Sequence, residues 1–383
     1  MLRYFTAGES HGKGLTAIIE GIPSGFQIDI NKINEELKLR QGGYGRGGRQ
    51  KIESDRVQVL SGIRGGVTLG SPITLWIENK DYQNWEPYMN ESDITEGKEV
   101  SRPRGGHADL WGGMKYSHRD LRNILERASA RETAIRVAVG ALCRQILEYF
   151  DISIYSSVCQ IGDIKIETNY NDKTFIQNIG ISSLRCGDLE ATKKMEQFID
   201  RAKENGDSVG GVIETAVFGV PAGLGSFVQW DRKLDAKLAC AMMSIQSIKG
   251  VEFGLGFQAA ERYGSAVHDE IFYSEEQGYY RKTNRCGGIE GGMSNGSPIM
   301  IRCAAKPIPT LYKPLQTVDI DTKEEIQAAV ERSDICAVAA ASIVCASVAA
   351  VTILDEFLLK FGGDTKCDIE HSYQDYQNRI SHY

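Results

Sequence analysis

The stretch from Cys336 to Leu354 carries no charged residue, and it limits the possible folds more than any other feature of the chain. Its length reaches the ~18 residues that a membrane-spanning helix needs. It consists mostly of Ala, Ser, Val and Cys, however, which insert weakly into a bilayer, and it stands alone in the sequence. We therefore predict a helix buried in the core of a soluble protein, capped by Asp334 and running to about Lys360.

The composition indicates a large core and an acidic surface. The chain has 383 residues and is 42% hydrophobic, which allows one large domain or two ordinary ones. A net charge of −7 gives no general attraction to nucleic acids or anionic membranes, so neither is expected as a partner. Any anion site must therefore be a local basic cluster. The 41 glycines are clustered and not periodic, which indicates loops that approach a ligand closely.

Cysteine usage and the first residues favour a cytoplasmic protein. The nine cysteines include no C-x-x-C pair, so neither a disulfide framework nor a zinc module is predicted, and we expect reduced core thiols and no metal site. The sequence MLRYFTAGESHG lacks the basic and apolar regions of a signal peptide.

Hydrophobic periodicity predicts strands and helices that alternate without a regular βαβ period. The predicted strands are Leu2–Thr6, Leu15–Ile22, Val57–Leu60, Ile73–Glu78, Ile152–Ile161, Gly210–Val220, Val251–Phe257 and Pro298–Ala304. Further predicted helices are Ile30–Leu39 after the cap Asp29, Leu189–Lys203, Leu234–Ser244 and Thr322–Ala329. Residues 79–100 are predicted to be a polar loop. Because neither a repeat nor a linker divides the chain, we predict one α+β domain over residues 1–383, with a polar tail after Gly362 that is a candidate for mobility.

The segment Arg102–Val139 joins a Gly-rich loop, which carries His107 and Asp109, to a strong helix signal. Ser117 is the candidate N-cap of this helix, and Asp120 falls in its first turn, where the helix dipole favours an acid.

Three polar residues interrupt the apolar spacing of this predicted helix. Arg127, Ser129 and Arg131 alternate with Ala128 and Ala130, which leave the backbone open to close approach. Guanidinium groups beside such small residues indicate an anionic ligand. The alternative is a solvated face on which arginines and glutamates pair four residues apart.

The first of five chemically suggestive loops is Gly8–Gly12, which holds His11 between Ser10 and Gly12. An imidazole changes charge near neutral pH and can donate a proton or stand beside an anion. The loop also approaches a phosphate-binding P-loop, because Gly12 and Lys13 follow a strand. That motif requires a leading glycine and a Ser or Thr after the lysine, which this chain lacks, so a nucleotide kinase is a weak alternative.

The second loop, Arg40–Lys51, brings Arg40, Arg46, Arg49 and Lys51 together among glycines. Arginine forks bind phosphate or carboxylate in a bidentate manner, and glycines let the backbone wrap around the ligand. The alternative is an RGG-like RNA-binding segment. The motif occurs once, inside a structured region of an acidic chain, so we favour a small-anion site.

Three later loops complete the pattern. Gly287–Gly296 predicts either a flexible hairpin or a backbone that approaches a ring or a phosphate. Lys306–Thr310 must be extended because two prolines fix it. Glu331–Asp334 places Arg332 and Asp334 at a predicted helix start, where Asp334 can act as acid, base or cap. Together the loops predict a pocket for a small polyanion and a phosphorylated cofactor.

Eight ordered motifs resemble the chorismate synthase family. They are TAGESHG (Thr6–Gly12), RQGGYGRGGRQKIESD (Arg40–Asp55), HADLWGGMKY (His107–Tyr116), ERASARETAIRVA (Glu126–Ala138), KGVEFGLGF (Lys249–Phe257), GGIEGGMSNG (Gly287–Gly296), KPIPTL (Lys306–Leu311) and ERSDICAV (Glu331–Val338). They span nearly the whole chain, which makes the resemblance specific.

The resemblance implies a shikimate-pathway lyase that converts 5-enolpyruvylshikimate-3-phosphate to chorismate by eliminating phosphate and a ring proton. It implies reduced FMN as cofactor without net redox change, a β-α-β sandwich around a central layer of long helices, and a homotetramer. It leaves open whether the chain reduces its own flavin with NADPH or depends on a separate flavin reductase.

The resemblance also implies roles for individual residues. The catalytic residues would be His11, which would protonate or hydrogen-bond the reduced flavin, His107, which would face the leaving phosphate, and Asp334, which would help to take up the substrate's proton. The flavin site would comprise Arg127, Ala128, Ser129, Gln246, Ser247, Gly291, Lys306, Pro307, Ile308, Pro309, Thr310 and Arg332. Arg40 and Arg46 would bind NADPH or the substrate's anionic groups, and we add Arg49 and Arg131 as ligands for those groups.

Two positions depart from the family pattern. Gly105 and Ala339 stand where proline is expected, which predicts a looser loop around His107 and a straighter start to the last long helix.

Overall fold

The computed structural model describes residues 1–47, 54–93, 95–328 and 333–383. The strands in these ranges are β1 (Arg3–Ala7), β2 (Gly14–Glu20), β3 (Val57–Ser61), β4 (Ile63–Arg64), β5 (Val67–Thr68), β6 (Ile73–Glu78), β7 (Ser153–Ile161), β8 (Ile164–Lys165), β9 (Gly211–Phe218), β10 (Ile248–Phe253), β11 (Ile271–Ser274), β12 (Gly278–Arg281), β13 (Ile289–Glu290), β14 (Met293–Ser294), β15 (Ile299–Ala305), β16 (Gln316–Val318) and β17 (Glu325–Gln327). The α-helices are α1 (Ile30–Gln41), α2 (Tyr82–Met89), α3 (Asp109–Tyr116), α4 (Arg122–Ala128), α5 (Thr133–Tyr149), α6 (Lys173–Ile181), α7 (Leu189–Glu204), α8 (Leu234–Met243), α9 (Val338–Phe361) and α10 (Lys366–Ser381). The mixture confirms the predicted α+β class.

Two antiparallel sheets carry most of the strand residues. The first has the strand order β1-β2-β6-β3, and the second has the order β10-β15-β9-β7-β8. In β6 the burial alternates along the strand, so that Ile73, Leu75 and Ile77 face the core. This period of two is the pattern from which the strand was predicted, with the same bounds.

Two long helices, α5 and α9, connect the sheets to a common core. They pack against each other, α5 also packs on β2 and β6 of the first sheet, and α9 packs on β7 and β9 of the second. One hydrophobic cluster accordingly runs from Leu2 to Ile369 through both helices. Helix α1 contacts both α5 and α9, and its N-cap Asp29 accepts a hydrogen bond from the backbone of Asn31, as predicted.

Helix α9 contains the uncharged stretch. It is long and apolar enough to cross a bilayer, but most of its apolar stretch is buried inside the protein. Core helices of globular proteins can have the same length and composition. Its contact with α5 is very close, because a Cβ atom added to Gly140 would lie 2.3 Å from the Cβ of Ser347. Small residues on the two helices therefore set their separation.

The predicted long helix after Ser117 is broken. Ser117 ends α3 in a left-handed conformation, and Asp120 accepts a hydrogen bond from the backbone of Arg122 at the start of α4. A second break follows at Ser129, which is extended and whose hydroxyl accepts from the backbone of Arg131. A short 3-10 turn, Ala130–Glu132, then leads into α5. Local side-chain capping at Ser129 therefore overrides the helical periodicity.

Two other predictions are wrong. Residues 79–100 contain α2, and residues 325–327 form β17, where Thr317 of β16 pairs with Ile326, so strand pairing replaces the predicted helix Thr322–Ala329. The polar tail contains α10, with a capping box between Thr365 and Asp368, and its mobility stays a prediction. The P-loop alternative fails because Gly14 begins strand β2 and no helix.

Replacing Gly140 with Ala tests the close contact of α5 with α9. The added methyl group would press on the backbone of Ser347, and we expect the free energy of unfolding to fall by about 1–3 kcal/mol. The matched control is Gly180→Ala in α6, where no atom lies within 4 Å of the added Cβ. There the better helix propensity of alanine should raise stability by up to ~1 kcal/mol. Urea unfolding of both variants measures the difference, and stabilisation by both would disprove the close contact.

Candidate active site

A cavity of about 550 Å³ lies where the break between α4 and α5 meets the start of α9. Further walls come from the end of α1, the loop before α3, the start of β10 and the extended segment 306–310. The predicted site residues that line it are Arg40, Arg46, His107, Ala128, Ser129, Arg131, Gln246, Ser247, Lys306, Ile308, Pro309, Thr310 and Asp334. Most of the loops singled out in the sequence therefore converge on one place.

The lining is strongly basic, although the whole chain carries a net charge of −7. The cationic side chains on the described wall are Arg40, Arg46, Arg104, Arg131, Lys249 and Lys306, and its acidic side chain is Asp334. Such a concentration of positive charge in a concave site attracts an anion with more than one negative group. The RNA-binding alternative is disfavoured because Arg40 and Arg46 line a cavity of small-molecule size.

The break at Ser129 supplies one wall of the cavity. Ser129 is extended there, and the small residues Ala128, Ser129 and Ala130 all line the cavity. Arg131 follows directly and also lines the cavity. The small residues and the arginine that interrupted the apolar spacing thus face a ligand-sized space, as the anion hypothesis requires.

Two arginines of the wall share a buried carboxylate. Arg131 Nη1 lies 2.7 Å from both oxygens of Asp55, and Arg40 Nη1 lies 3.7 Å from Asp55 Oδ2. Arg40 also donates to the Thr133 hydroxyl and to the carbonyl of Ala130, each at 2.9 Å. Burial lowers the pKa of Arg40 to about 9, although Asp55 acts in the opposite direction.

Asp334 does not cap α9, which begins only at Val338 with Ala337 as its N-cap. Its carboxylate instead accepts from the backbone of Gly47 at 2.6 Å and pairs with Arg46 at 2.7 Å. The predicted cap is therefore wrong, and Asp334 joins the glycine–arginine loop to the cavity wall.

His107 belongs to a tight cluster with Asp109, Arg104 and Thr310. Its Nδ1 lies 2.6 Å from Asp109 Oδ1, while Arg104 Nε donates to Asp109 Oδ2 at 2.9 Å. Burial alone would raise the pKa of Asp109, but hydrogen bonds from His107 and Arg104 outweigh it and hold that pKa well below its usual range. Because Asp109 stays ionised, Nδ1 of His107 carries the donated proton and Nε2 is the nitrogen left for a ligand.

His11 lies beside the cavity but is not part of its described lining. Its Nδ1 is 2.9 Å from each oxygen of Glu126, its backbone donates to the same carboxylate at 2.8 Å, and its ring stacks on Trp85 at 4.1 Å. Burial raises the pKa of Glu126, but the hydrogen bonds from His11 outweigh it, and the net pKa is lowered. Leu125, which precedes Glu126 in α4, does line the cavity.

Another part of the cavity wall is built from two connected segments. Lys306 donates its backbone N–H to the carbonyl of Ser247 at 2.9 Å, and Ser247 has a positive φ of 70°. Segment 306–310 is extended, as its two prolines predict, and Ser208 fixes it by donating to the Ile308 carbonyl at 2.7 Å. Burial, and the charge of nearby Lys249, lower the pKa of Lys306. The buried Oε1 atom of Gln246 has no hydrogen-bond partner among the described residues.

Some predicted residues are not brought into the cavity. Arg127 instead donates to the carbonyls of Thr6 and Gly8, and Gly291 lies in the turn between β13 and β14. Pro307 is absent from the described lining, although both its neighbours are present. Arg49 and Arg332 lie outside the described residues.

Four residues of the site were not predicted from the sequence, either as cavity-lining residues or as partners of predicted site residues. Arg104 and Lys249 line the cavity, and each lies at the edge of a quoted motif where a cation beside glycine was a usable signal. Asp55 supports two arginines of the cavity wall from behind, and Glu126 supports His11 outside the described lining. Their pairing partners lie far away in the sequence, so no spacing rule could have found them.

Comparison with known proteins decides the family. The chorismate synthase family model matches residues 2–358. The chain belongs to the chorismate synthase family. It is 59% identical over 377 residues to a chorismate synthase from Alkaliphilus metalliredigens, which covers 98% of this chain and 99% of the relative. It is 55% identical over 386 residues to one from Geobacter metallireducens, with 98% of each chain covered.

A solved structure supports the same assignment. A crystal structure of chorismate synthase superimposes with a TM-score of 0.81 at 43% sequence identity, covering 100% of this chain and 99% of the other. Because sequence and fold agree over their full lengths, the family assignment covers the cavity and all the elements around it.

Replacing Asp109 with Asn tests the buried cluster around His107. The change leaves the Arg104 guanidinium buried without its carboxylate, and at pH 7 we expect the free energy of unfolding to fall by on the order of 3 kcal/mol. The folded-state pKa of Asp109 is depressed, so its stabilisation is present above the unfolded pKa of about 4 and is lost as the pH falls towards the folded value. The difference between wild type and variant should therefore shrink below pH ~4.

Urea unfolding between pH 3 and 7 measures this difference. The control is Glu20→Gln, because Glu20 pairs with Arg3 on the exposed face of the first sheet and should contribute little. If the two substitutions lowered the free energy of unfolding equally, the buried cluster would not have the stabilising role proposed here.

Proposed function

We propose that this chain converts 5-enolpyruvylshikimate-3-phosphate to chorismate by 1,4-anti elimination of phosphate and a ring proton, with reduced FMN and no net redox change. This reaction is the last common step of the shikimate pathway to the aromatic amino acids. The observation that carries the proposal is the arginine- and lysine-lined cavity beside His107, in a chain that belongs to the chorismate synthase family.

The substrate's anionic groups match the basic wall of the cavity. We assign them to Arg40, Arg46 and Arg131, and to Arg49 on the strength of its place in the glycine–arginine loop. Bidentate guanidinium contacts suit phosphate and carboxylate groups, and they stabilise the negative charge that grows as phosphate leaves. Arg40 and Arg46 are also the positions that the resemblance implies for NADPH.

His107 is proposed to face the departing phosphate. Asp109 holds Nδ1 of its ring, so in the imidazolium form the proton on Nε2 would pass to a phosphate oxygen as the carbon–oxygen bond breaks, leaving a neutral ring. Arg104 and Thr310 hold the same cluster from its other side, since Arg104 Nη1 donates to the Thr310 hydroxyl at 3.0 Å. The imidazole is therefore positioned before the substrate binds.

The part of the wall that carries Gln246 and segment 306–310 fits a flavin. The buried Gln246 Oε1 atom has no hydrogen-bond partner among the described residues, and it would accept from an N–H group of the reduced FMN ring. Ser247, the segment Lys306–Thr310, Ala128 and Ser129 would enclose the cofactor, and reduced FMN, when bound, supplies electron density to the substrate ring. Arg127, Gly291 and Arg332 are proposed flavin ligands on the family resemblance alone.

His11 and Asp334 are proposed to handle protons. Glu126 holds Nδ1 of His11, so Nε2 would hydrogen-bond or protonate the cofactor. Asp334 lines the cavity and, in its ionised form beside Arg46, would help to take up the ring proton. Its pairing with Arg46 would keep it oriented until the proton arrives.

The oligomeric state, the layer arrangement of the fold and the cellular location are proposed from fewer observations than the reaction. We infer a β-α-β sandwich and a single domain, supported by α5 and α9 between the two sheets and by the continuous core. A homotetramer is proposed on the family resemblance alone. Exposed large apolar side chains, among them Trp111, Met114, Phe227 and Trp230, are candidates for contacts between subunits. A cytoplasmic location is supported by the burial of α9 in the core.

The assay is anaerobic incubation of the chain with 5-enolpyruvylshikimate-3-phosphate and dithionite-reduced FMN. We expect the absorbance of chorismate to appear, and no product with oxidised FMN. Absence of product under reducing conditions would contradict the proposed function. Repeating the assay in air with NADPH and FMN determines whether the chain reduces its own flavin or needs a separate reductase.

Replacing His107 with Ala should lower kcat by about 10²–10⁴-fold, because the leaving phosphate loses its proton donor. His118→Ala is the matched control, since His118 is exposed near the end of α3 and outside the described cavity lining. Urea unfolding of both variants shows whether the fold is retained. A near-wild-type rate in a folded His107→Ala variant would remove His107 from the mechanism.

A further inference from the structure

Asp55 stands behind the cavity wall, where its carboxylate is fully buried between two arginines. We propose that Asp55 is a positioning residue that aims Arg40 and Arg131 at the substrate's anionic groups, and that Asn79 extends this control to the turn that carries His11. The inference rests on the proposed function and assigns a role to two side chains outside the described cavity lining.

The contacts of Asp55 fix both guanidinium groups. Arg131 Nη1 lies 2.7 Å from each carboxylate oxygen, and Arg40 Nη1 lies 3.7 Å from one of them. Asp55 is in turn fixed, because its backbone N–H donates to Gln41 Oε1 at 3.1 Å at the end of α1. The carboxylate thus joins α1, which carries Arg40, to the turn before α5, which carries Arg131.

Asn79 connects this pair to the His11 turn. Its Oδ1 accepts from Arg131 Nε at 3.0 Å, and its Nδ2 donates to the carbonyls of Glu9 and Gly12 at 3.1 and 2.8 Å. The two carbonyls flank Ser10 and His11, so one amide group holds both ends of the turn. Asn79 is 2% exposed, which leaves its side chain little freedom.

The electrostatic reason for Asp55 is repulsion between the arginines. Two guanidinium groups that converge on one anion site repel each other before the anion arrives, and a buried carboxylate between them offsets that repulsion. Burial lowers the pKa of Arg40 to about 9, the charges of Arg131 and Arg46 lower it as well, and Asp55 and Asp334 raise it. Preorganised arginines reduce the cost of ordering side chains when the substrate binds.

The decisive variant is Asp55→Asn, which keeps the shape and removes the charge. We expect KM for 5-enolpyruvylshikimate-3-phosphate to rise at least about tenfold with a smaller change in kcat, since the loss falls on substrate binding. Because Asp55 raises the pKa of Arg40, its loss should lower that pKa and move the alkaline limb of the kcat/KM profile to lower pH. A purely structural role for Asp55 would not move this limb.

The matched control is Glu36→Gln on the same helix as Arg40. Glu36 pairs with Arg144 at 2.6 Å, outside the described cavity lining, so its loss should leave KM and the alkaline limb unchanged. Binding of oxidised FMN, followed by fluorescence, should stay within about twofold of wild type in both variants. If Asp55→Asn matches Glu36→Gln in KM and in pH profile, the proposal is wrong.

A second variant, Asn79→Ser, keeps the test valid if Asp55→Asn does not fold. It removes the contacts to Arg131 and to the His11 turn without changing charge, so KM should rise while the alkaline limb stays in place. An unchanged KM would disprove the part of the proposal that concerns Asn79.

Calorimetric titration with inorganic phosphate separates this proposal from the proposed function. Weaker phosphate binding by Asp55→Asn than by Glu36→Gln would support the positioning role even if no chorismate forms. Equal binding by these two variants would overturn the role, and product formation by wild type tests the function separately.

Discussion

The burial of several cations around one cavity is the constraint on which the site depends. A guanidinium group removed from water needs a carboxylate or several carbonyls nearby. Asp55 pairs with Arg40 and Arg131, Asp334 pairs with Arg46, and Asp109 pairs with Arg104. These carboxylates lie on segments far apart in the sequence, so the packing of α5 and α9 that brings the segments together also makes the charged wall stable.

The paired carboxylates and the cations occupy different depths of the wall. Asp55 and Asp109 are fully buried behind the wall, while the cations and His107 line the cavity itself. The site therefore combines an acidic inner layer with a basic surface. An anion that enters completes the coordination of the arginines and does not have to displace the carboxylates.

The sequence predicted those parts of the fold that local periodicity determines. Strand β6 has the predicted bounds, α1 has its predicted cap, and α9 was recognised from its lack of charge. The convergence of His107, Arg131 and segment 306–310 on one cavity followed from residue chemistry and from the family resemblance. Conversely, the break at Ser129 was missed because apolar spacing continues across it. Strand β17 was missed because it is stabilised by pairing with β16, and local periodicity does not reveal that pairing. The capping-box residues of α10, Thr365 and Asp368, can be read from the sequence. The helix was not predicted because the segment is polar and lacks a clear apolar periodicity.

The cavity wall has a consequence for the order in which the protein forms. Arg40, Asp55, Arg131 and Asp334 come from widely separated parts of the chain, and Asp334 comes just before the last long helix. A chain whose C-terminal region has not docked lacks Asp334 at the wall. We therefore expect full ligand affinity only in the complete fold, and a bound anion to stabilise that fold against global unfolding.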